Sequence, residues 1–544
     1  MSDNRGSKHY ILNPATGRKV AEIKQHTDAD LAAAVAKARA AQPLWYRGGL
    51  AFRSAIIRAA APLIAERAGS LTDTICSVSG KPRVDALGTE VLTAALACRY
   101  YPRLAARVLK PKRIQSSSIL FFNKRSRLIR EPYGVIGIIS PWNYPFGIPF
   151  HELVQALLAG NTVVLKAATQ SQPVAEAIQR LLTDAGLPDG VLNLVHLPGL
   201  EAGRAFIHSR IDKLLFTGST EVGRTLMSEA AGRLLPLSLE LGGNDPMIVL
   251  RDAVLSRAVD GAIWAGLSNS GQSCAAVERI YVEEAVYDRF VELLKRRIGG
   301  LRLGLDLGAL TTATQLEAIR RFIQDARDMG AKVWTPNGSA EAGEGTKAGP
   351  PYIHPPVVIE EADESMMVHK REIFGPVLAV RKVKDAAQAL HWANDSHLGL
   401  CASIWTRNRR LAQELSTRLQ AGVVMINDHL MSHGMPETPW GGYKQSSLGR
   451  CHGEAGFHEV TQTKVVVRDA LQCMPRNFWW LPYDENLERG MLGAIDALFS
   501  RSAGRRLRGW LRLLWAFGGS FSRPKQPPPA RSTETNKPGS YESS

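Results

Sequence analysis

Gly134-Val-Ile-Gly-Ile-Ile-Ser140 is strongly apolar and reads as a strand, and the chain beyond it alternates regularly. A helical pattern over residues 149–158 leads to TVVLKA at 162–167. A second over 173–185 leads to VLNLVHL, and a third over 201–208 leads to KLLFTGS, which ends at Ser219. Strands separated by helices predict a parallel sheet with helices on both faces. Beyond Glu240 another series, with strands over 247–250, 279–282, 377–383 and 422–427, predicts a second α/β domain. On the N-terminal side, residues 28–39 (DADLAAAVAKAR) set Ala, Leu and Val at helical spacing behind an Asp able to cap. Ala-rich helices continue through Tyr101, so the first hundred residues read as mainly helical. Within 109–129, SILFFNKRSRLI alternates and predicts a hairpin with Asn123 and Lys124 near its turn. Residues 338–351 (GSAEAGEGTKAGPP) read as an exposed loop, and a strand over 464–468 closes the compact part.

The chain has 544 residues, and at ~150 residues per domain it should form two or three domains. Its 45% hydrophobic and 22% charged residues are the balance of a soluble globular protein. Cys76, Cys98, Cys274, Cys401, Cys451 and Cys473 show no close metal-type spacing, which predicts no metal site and a reducing compartment. Residues 1–13 hold no apolar run of signal-peptide length, so the body is expected in the cytoplasm. A net charge of +16 admits nucleic acid, an anionic membrane surface or an anionic ligand such as a phosphorylated cofactor. No dedicated nucleic-acid motif accompanies it, so no nucleic-acid partner is expected.

Two short segments pair a nucleophile with a base. Cys274 in Gly271-Gln-Ser-Cys274 lies 34 residues after Glu240 in Glu240-Leu-Gly-Gly243. A thiolate attacks carbonyls and a carboxylate activates water, the two halves of an acyl transfer that ends in hydrolysis. That chemistry asks for a cysteine of lowered pKa. In FTGSTEVG (216–223) a Gly-flanked turn joins a strand to a helix, where backbone N–H groups receive a phosphate; an ordinary turn would look much the same. Pro141-Trp-Asn-Tyr-Pro-Phe146 comes directly after the first strand, at the end where α/β sheets build ligand sites, and its Asn143 amide is able to donate to an oxyanion.

With Lys166 at a strand end, EIFGP (372–376) and PWGGYKQSSLGR (439–450), these segments together resemble the aldehyde dehydrogenase superfamily from about Tyr10 to Asp469. The resemblance implies an α/β fold of that family's kind. It comprises a Rossmann-type cofactor domain, an α/β catalytic domain and a small β oligomerisation element. It divides the chain into 1–113 and 132–243 (cofactor binding), 114–131 (oligomerisation hairpin), 244–450 (catalytic) and 451–470 (oligomerisation strand). It makes Cys274 the nucleophile, Asn143 with the Cys274 N–H the oxyanion donors, and Glu240 the base that hydrolyses the thioester. It gives cofactor binding to Trp142, Lys166, Thr169, Gly218, Ser219, Gly223, Leu241, Glu372 and Phe374. The implied reaction is oxidation of an aldehyde, medium- or long-chain or aromatic, to its acid with NAD or NADP. A semialdehyde substrate and a silent membrane-associated scaffold are the alternatives. A homodimer or homotetramer is implied, with 119–129 and 464–468 as contact elements.

One departure bears on the cofactor. NAD-preferring members often carry a glutamate where this chain has Thr169, and its loss removes repulsion of a 2′-phosphate, a lean toward dual or NADP use. Small Ala275 and Ala276 leave room beside the thiol, and residues 428–436 (DHLMSHGMP) are expected at the substrate entrance. Past the family's body come an amphipathic extension at 471–519, including FWWLPY (478–483), and a disordered tail at 520–544. Leu507, Trp510, Leu511, Leu514 and Phe517 fall on one helical stripe, and five arginines but no acid occur from Arg501 to Arg512. Such a helix at 501–517 lies in a membrane interface against anionic headgroups and is too short to span, so peripheral attachment at the inner face of a membrane is expected.

Overall fold

The computed structural model describes residues 8–336, 351–472, 477, 480–481 and 483–519. The expectations for 338–350, Cys473, most of FWWLPY and the 520–544 tail lie outside these residues. The chain divides into two compact units, Met1–Lys110 with Arg130–Thr463, and Pro111–Ile129 with Lys464–Ser544.

The first unit has the expected α/β class and is organised on two sheets. In the six-stranded sheet the order is Ser447–Leu448, Leu237–Glu240, Lys213–Thr217, Val135–Ser140, Thr162–Ala167, Leu192–Leu194, all parallel except the first. Every residue of Val135–Ser140 and Thr162–Ala167 is buried, as continuous apolar runs between two helix layers require. The chain winds one way from Val135–Ser140 through Leu192–Leu194 and then returns to its other side with Lys213–Thr217. The loops after these two neighbours therefore part and leave a crevice at their C-terminal ends. The seven-stranded sheet runs Lys332–Trp334, Val357–Glu360, Val377–Val383, Val277–Glu283, Asp245–Val249, Cys401–Trp405, Val423–Ile426, antiparallel only at its first pair. The link Leu241–Asn244 passes directly from one sheet to the other, so residue 240 ends a strand of the first and residue 245 begins one of the second.

The first hundred residues are mainly helical, as expected, and begin with a short strand pair: Lys8–Leu12 and Lys19–Lys24 pair antiparallel, with Ile11 and Ile23 turned into the core. These strands of five and six residues are too short to compete with the Ala-rich pattern that comes after them. The first helix, Asp28–Arg47, is capped by Thr27 rather than by Asp28. Thr27 accepts from Asp30 N while Asp30 Oδ2 accepts from Thr27 N at 2.8 Å, a reciprocal box that satisfies two free donors.

The second unit is built on a three-stranded sheet in which Lys124–Pro132 lies between Lys112–Ile114 and Thr461–Asp469. The expected hairpin exists, but its first arm is Lys112–Ile114. Ile119–Phe121 forms a 3₁₀ turn instead, because Ser118 Oγ accepts from Leu120 N. Asp469 closes the connection, accepting from Lys124 Nζ at 2.7 Å and from Asn123 Nδ2 at 3.0 Å. Two helices come next, Glu485–Phe499 and Ala503–Gly519, packed on a glycine seam. A Cβ on Gly509 would lie 2.4 Å from Ala497 N, so only glycine allows this approach. The apolar residues of the second helix do not form one stripe. Trp510, Leu513 and Phe517 turn inward with Leu487, Ala494 and Leu120, whereas Leu507, Leu511, Leu514 and Trp515 remain exposed. The interior share is set by the partner helix, which a single-helix reading cannot include.

Candidate active site

The crevice of the six-stranded sheet is walled by Pro141–Asn143 on one side and Gly218–Ser219 on the other. What fixes the first wall is a buried ion pair. Lys81 Nζ donates to Glu90 Oε1 at 2.6 Å and to the Asn143 carbonyl at 2.7 Å, and neither side chain is exposed. Glu90 Oε2 accepts from Phe146 N at 2.7 Å and Gly147 N at 3.1 Å, so one carboxylate holds both the lysine and the loop. Glu90 lies in a π-helical turn, Leu87–Val91, a departure from α-helical winding that often marks a site.

The loop that carries Cys274 is tied to the same point. Asn269 Nδ2 donates to the Asn143 carbonyl at 2.9 Å and to the Gln272 carbonyl at 3.1 Å, and the Asn143 amide donates to Gln272 O at 3.1 Å. Asn269 and Ser270 adopt φ of 51° and 56°, a left-handed path held by Asp85, which receives Asn269 N at 2.8 Å. Gly271 continues it at φ 73°, where a Cβ would stand 2.1 Å from the Gly375 carbonyl. Behind Cys274, Asp245 Oδ1 accepts from Cys401 N at 3.0 Å, and His429 Nε2 contacts the Ala275 carbonyl at 3.1 Å. Asp245, Cys401 and His429 offer ligand-type atoms within 4.8 Å of one another, and of these His429 reaches the backbone directly after Cys274.

Cys274 sits between two cavities that share only it and Ile148. One, of about 840 Å³, is lined by Trp142, Asn143, Gly218, Ser219, Glu240, Leu241, Glu372 and Phe374, among others. The other, of about 690 Å³ counting the space open at its mouth, is lined mainly by apolar side chains. Eight of the predicted cofactor and catalytic residues thus meet with Cys274 in one cavity. Lys166, Thr169 and Gly223 are not on its lining. Gly223 serves packing instead: a Cβ there would meet Leu241 Cδ2 at 2.6 Å. Lys166 is buried at the end of its strand, and its ammonium carries no hydrogen bond or ion pair among the described residues.

The electrostatics are those of crowded, buried acids. Burial pushes Cys274 well above the ordinary thiol range, with the Glu372, Asp245 and Glu240 carboxylates adding to the effect. This direction is opposite to the lowered thiol pKa that the chemistry asks for. Glu240 is raised well above the usual carboxylate range by burial and then by Glu152. Glu152 and Glu372 are each pushed up to about 8, both chiefly by burial. Burial lowers Lys166 to about 8. Glu372 Oε1 accepts from Gly243 N at 3.2 Å, and the buried Glu278 receives Ile373 N and Phe374 N, at 2.9 and 2.7 Å. Phe374 is thereby held at φ 57°, its ring 5.6 Å from that of Trp142 and perpendicular to it.

These features fit a dinucleotide. Ser219 caps the helix Thr220–Ala231, presenting its N-terminus to the cavity. An adjoining cavity that shares Ser219 and Glu372 adds Arg224, Arg321, Lys370 and Arg371, cations suited to a pyrophosphate. Lys166, unpartnered among the described residues, adds an ammonium at the end of its strand. Sequence reading missed Lys81, Asp85, Glu90, Asn269 and Glu278. Of these only Asn269, five residues before the cysteine, stood close enough to a motif to be found.

Comparison with known proteins finds likenesses over most of the chain. The family model described as "Aldehyde dehydrogenase family" matches residues 1–466. A protein of Mycolicibacterium smegmatis named as a putative NADP-dependent succinate-semialdehyde dehydrogenase is 37% identical over 458 residues, 83% of this chain and 87% of the relative. The 4,4′-diapolycopene aldehyde oxidase of a Methylomonas species is 33% identical over 499 residues, 90% of this chain and 91% of the relative. The NAD+ complex of a Bacillus cereus aldehyde dehydrogenase aligns with a TM-score of 0.79 at 32% identity, covering 85% of this chain and 93% of that one. Glu90→Gln should cost about 3–5 kcal/mol in unfolding free energy, because it leaves the Lys81 ammonium buried without its counter-charge. Denaturant unfolding and steady-state turnover should both register the change, with kcat falling more than KM rises.

Proposed function

The chain belongs to the aldehyde dehydrogenase family and is an NAD(P)-dependent enzyme that oxidises aldehydes, and on that premise we propose a division of labour among its residues. Cys274 attacks the aldehyde carbonyl, and the Asn143 amide with the Cys274 N–H receives the oxyanion. When bound, NAD(P)+ supplies the hydride acceptor and a positively charged ring. The acyl group left on Cys274 is a thioester, and Glu240 takes a proton from the water that cleaves it. The raised proton affinity of Glu240 suits that step, and Thr217 Oγ1, 3.3 Å from Glu152 Oε1, links its acidic neighbour to the adjoining strand. Glu240 must shed its proton for the base to form, so turnover should climb with pH until Glu240 is ionised.

Trp142, Gly218, Ser219, Leu241, Glu372 and Phe374 would hold the dinucleotide, Lys166 and Thr169 its adenine-side ribose. Thr169 presents no carboxylate to a 2′-phosphate, which supports use of both NAD and NADP. The observation that carries this reading is Cys274 between two cavities, one holding Glu240 and Glu372 and adjoining a cation-lined cavity, the other apolar. A silent scaffold would not need Cys274, Glu240 and Asn143 together. Residues 1–113 and 132–243 would form the cofactor domain and 244–450 the catalytic domain. The strand Thr461–Asp469 leaves Val465, Val466 and Val467 exposed at a sheet edge, which supports pairing with another subunit in a dimer or tetramer.

The proposal also sets this enzyme in the cytoplasm, at the inner face of a membrane. Leu507, Leu511, Leu514 and Trp515 form an exposed stripe beside Arg501, Arg505 and Arg508, the composition of a helix that lies in an anionic interface. Among the described residues no single helix is long and apolar enough to cross a bilayer.

NAD(P)H formation with an aldehyde should be readily measured for the native enzyme and should drop at least ~10³-fold in Cys274→Ala; a fully active variant would contradict the mechanism. Full-length protein should sediment with anionic but not zwitterionic vesicles. Arg501→Gln, Arg505→Gln and Arg508→Gln combined should abolish this while leaving turnover of a soluble aldehyde intact.

A further inference from the structure

We propose that the apolar cavity selects uncharged, apolar aldehydes and discriminates against aldehydes that also bear a carboxylate; this rests on Cys274 being the nucleophile. Its walls are Leu92, Leu96, Ile148, Trp264, Leu430 and Met431, with Gly88 and Thr89 contributed by the π-helical turn. Among the described residues no lysine or arginine lines it. A carboxylate entering such a space loses its hydration and meets no counter-charge, whereas a methyl or phenyl terminus loses nothing.

The nearest candidates for a counter-charge are engaged or neutral. Lys81 stands 4.2 Å above the ring of Tyr144, a wall residue, but it is fully buried, 2.6 Å from Glu90 and bonded to the Asn143 carbonyl. Its charge is already matched, and moving it would release the loop that carries Asn143. His433 lines the cavity, and burial lowers its pKa to about 4, so the imidazole is neutral at ordinary pH. Its ring lies between those of His452 and Trp440, 4.9 and 5.0 Å away, with no carboxylate partner among them.

The walls also say how far the preference extends. Leu92, Leu96, Trp264 and Met431 line the cavity and are each more than a third exposed, so apolar surface continues from the thiol to solvent without a charged ring. A chain too long for the interior still lies against apolar surface at the mouth. Each methylene added should then raise kcat/KM about fourfold until the walls are covered. Gly88 has no atom within 4 Å of the position a Cβ would take, so the wall there is open rather than packed and gives room for an aromatic or branched chain.

The test compares, with the full-length enzyme and either cofactor, a series from butanal to decanal, succinate semialdehyde, and the methyl ester of succinate semialdehyde. Acid and ester share a skeleton and differ chiefly in charge. The inference expects kcat/KM to rise along the alkanal series and the ester to exceed the acid by about 100-fold. It also expects Met431→Arg, which brings a cation to the mouth, to narrow that gap at least tenfold. Equal rates for acid and ester, or preference for the acid, would overturn this inference while leaving the Cys274 mechanism standing. Failure to oxidise any of these aldehydes would overturn the mechanism and the inference together.

Discussion

The ion pair between Lys81 and Glu90 is the contact on which the site depends. It is wholly buried, and such a pair is costly to assemble and more costly to break, because removing either partner strands the other charge. What it secures is the position of a backbone segment. The lysine grips the Asn143 carbonyl, the glutamate grips Phe146 N and Gly147 N, and Asn269 carries the constraint on to the loop that ends in Cys274. Asn143 and Cys274 come from loops beside different sheets, 131 residues apart. Their relation is therefore set by this polar web rather than by either sheet alone.

The same dry interior that strengthens the web opposes ionisation of everything that must react. Cys274, Glu240, Glu152 and Glu372 all have their proton affinities raised, first by burial. Acids are concentrated on one side of the thiol and the basic residues Arg224, Arg321, Lys370 and Arg371 lie farther along the cleft. The protein is thus arranged around a ligand carrying anionic phosphates at one end and positive charge at the other. On the opposite side of Cys274 the walls are apolar, so the thiol divides a charged half-site from a neutral one.

Much of this was legible in the chain. The strands at 135–140 and 162–167 declared themselves because strands buried on both faces are largely apolar, and their alternation with helices pointed to a parallel sheet. Cys274, Glu240, Asn143, Glu372 and Phe374 were found through short motifs, and the fold gathers them. What the chain hid were effects of partners remote in sequence. Lys81 and Glu90 look like surface charges on a helix until the loop 62 residues away closes over them. Trp510 and Phe517 look like one membrane stripe with Leu507 until the preceding helix covers them. The thiol's pKa is hidden for a related reason, since no motif records how deeply a side chain is buried.

The central claim is that Cys274 carries the acyl group and Glu240 releases it. It is tested most directly by the intact mass of a Glu240→Gln protein mixed with NAD(P)+ and an apolar aldehyde. The account predicts one rapid, stoichiometric release of NAD(P)H and a mass increase equal to the acyl group, located on the peptide containing Cys274 and removed by hydroxylamine. Undiminished steady turnover with no adduct, or an adduct on another residue, would contradict it.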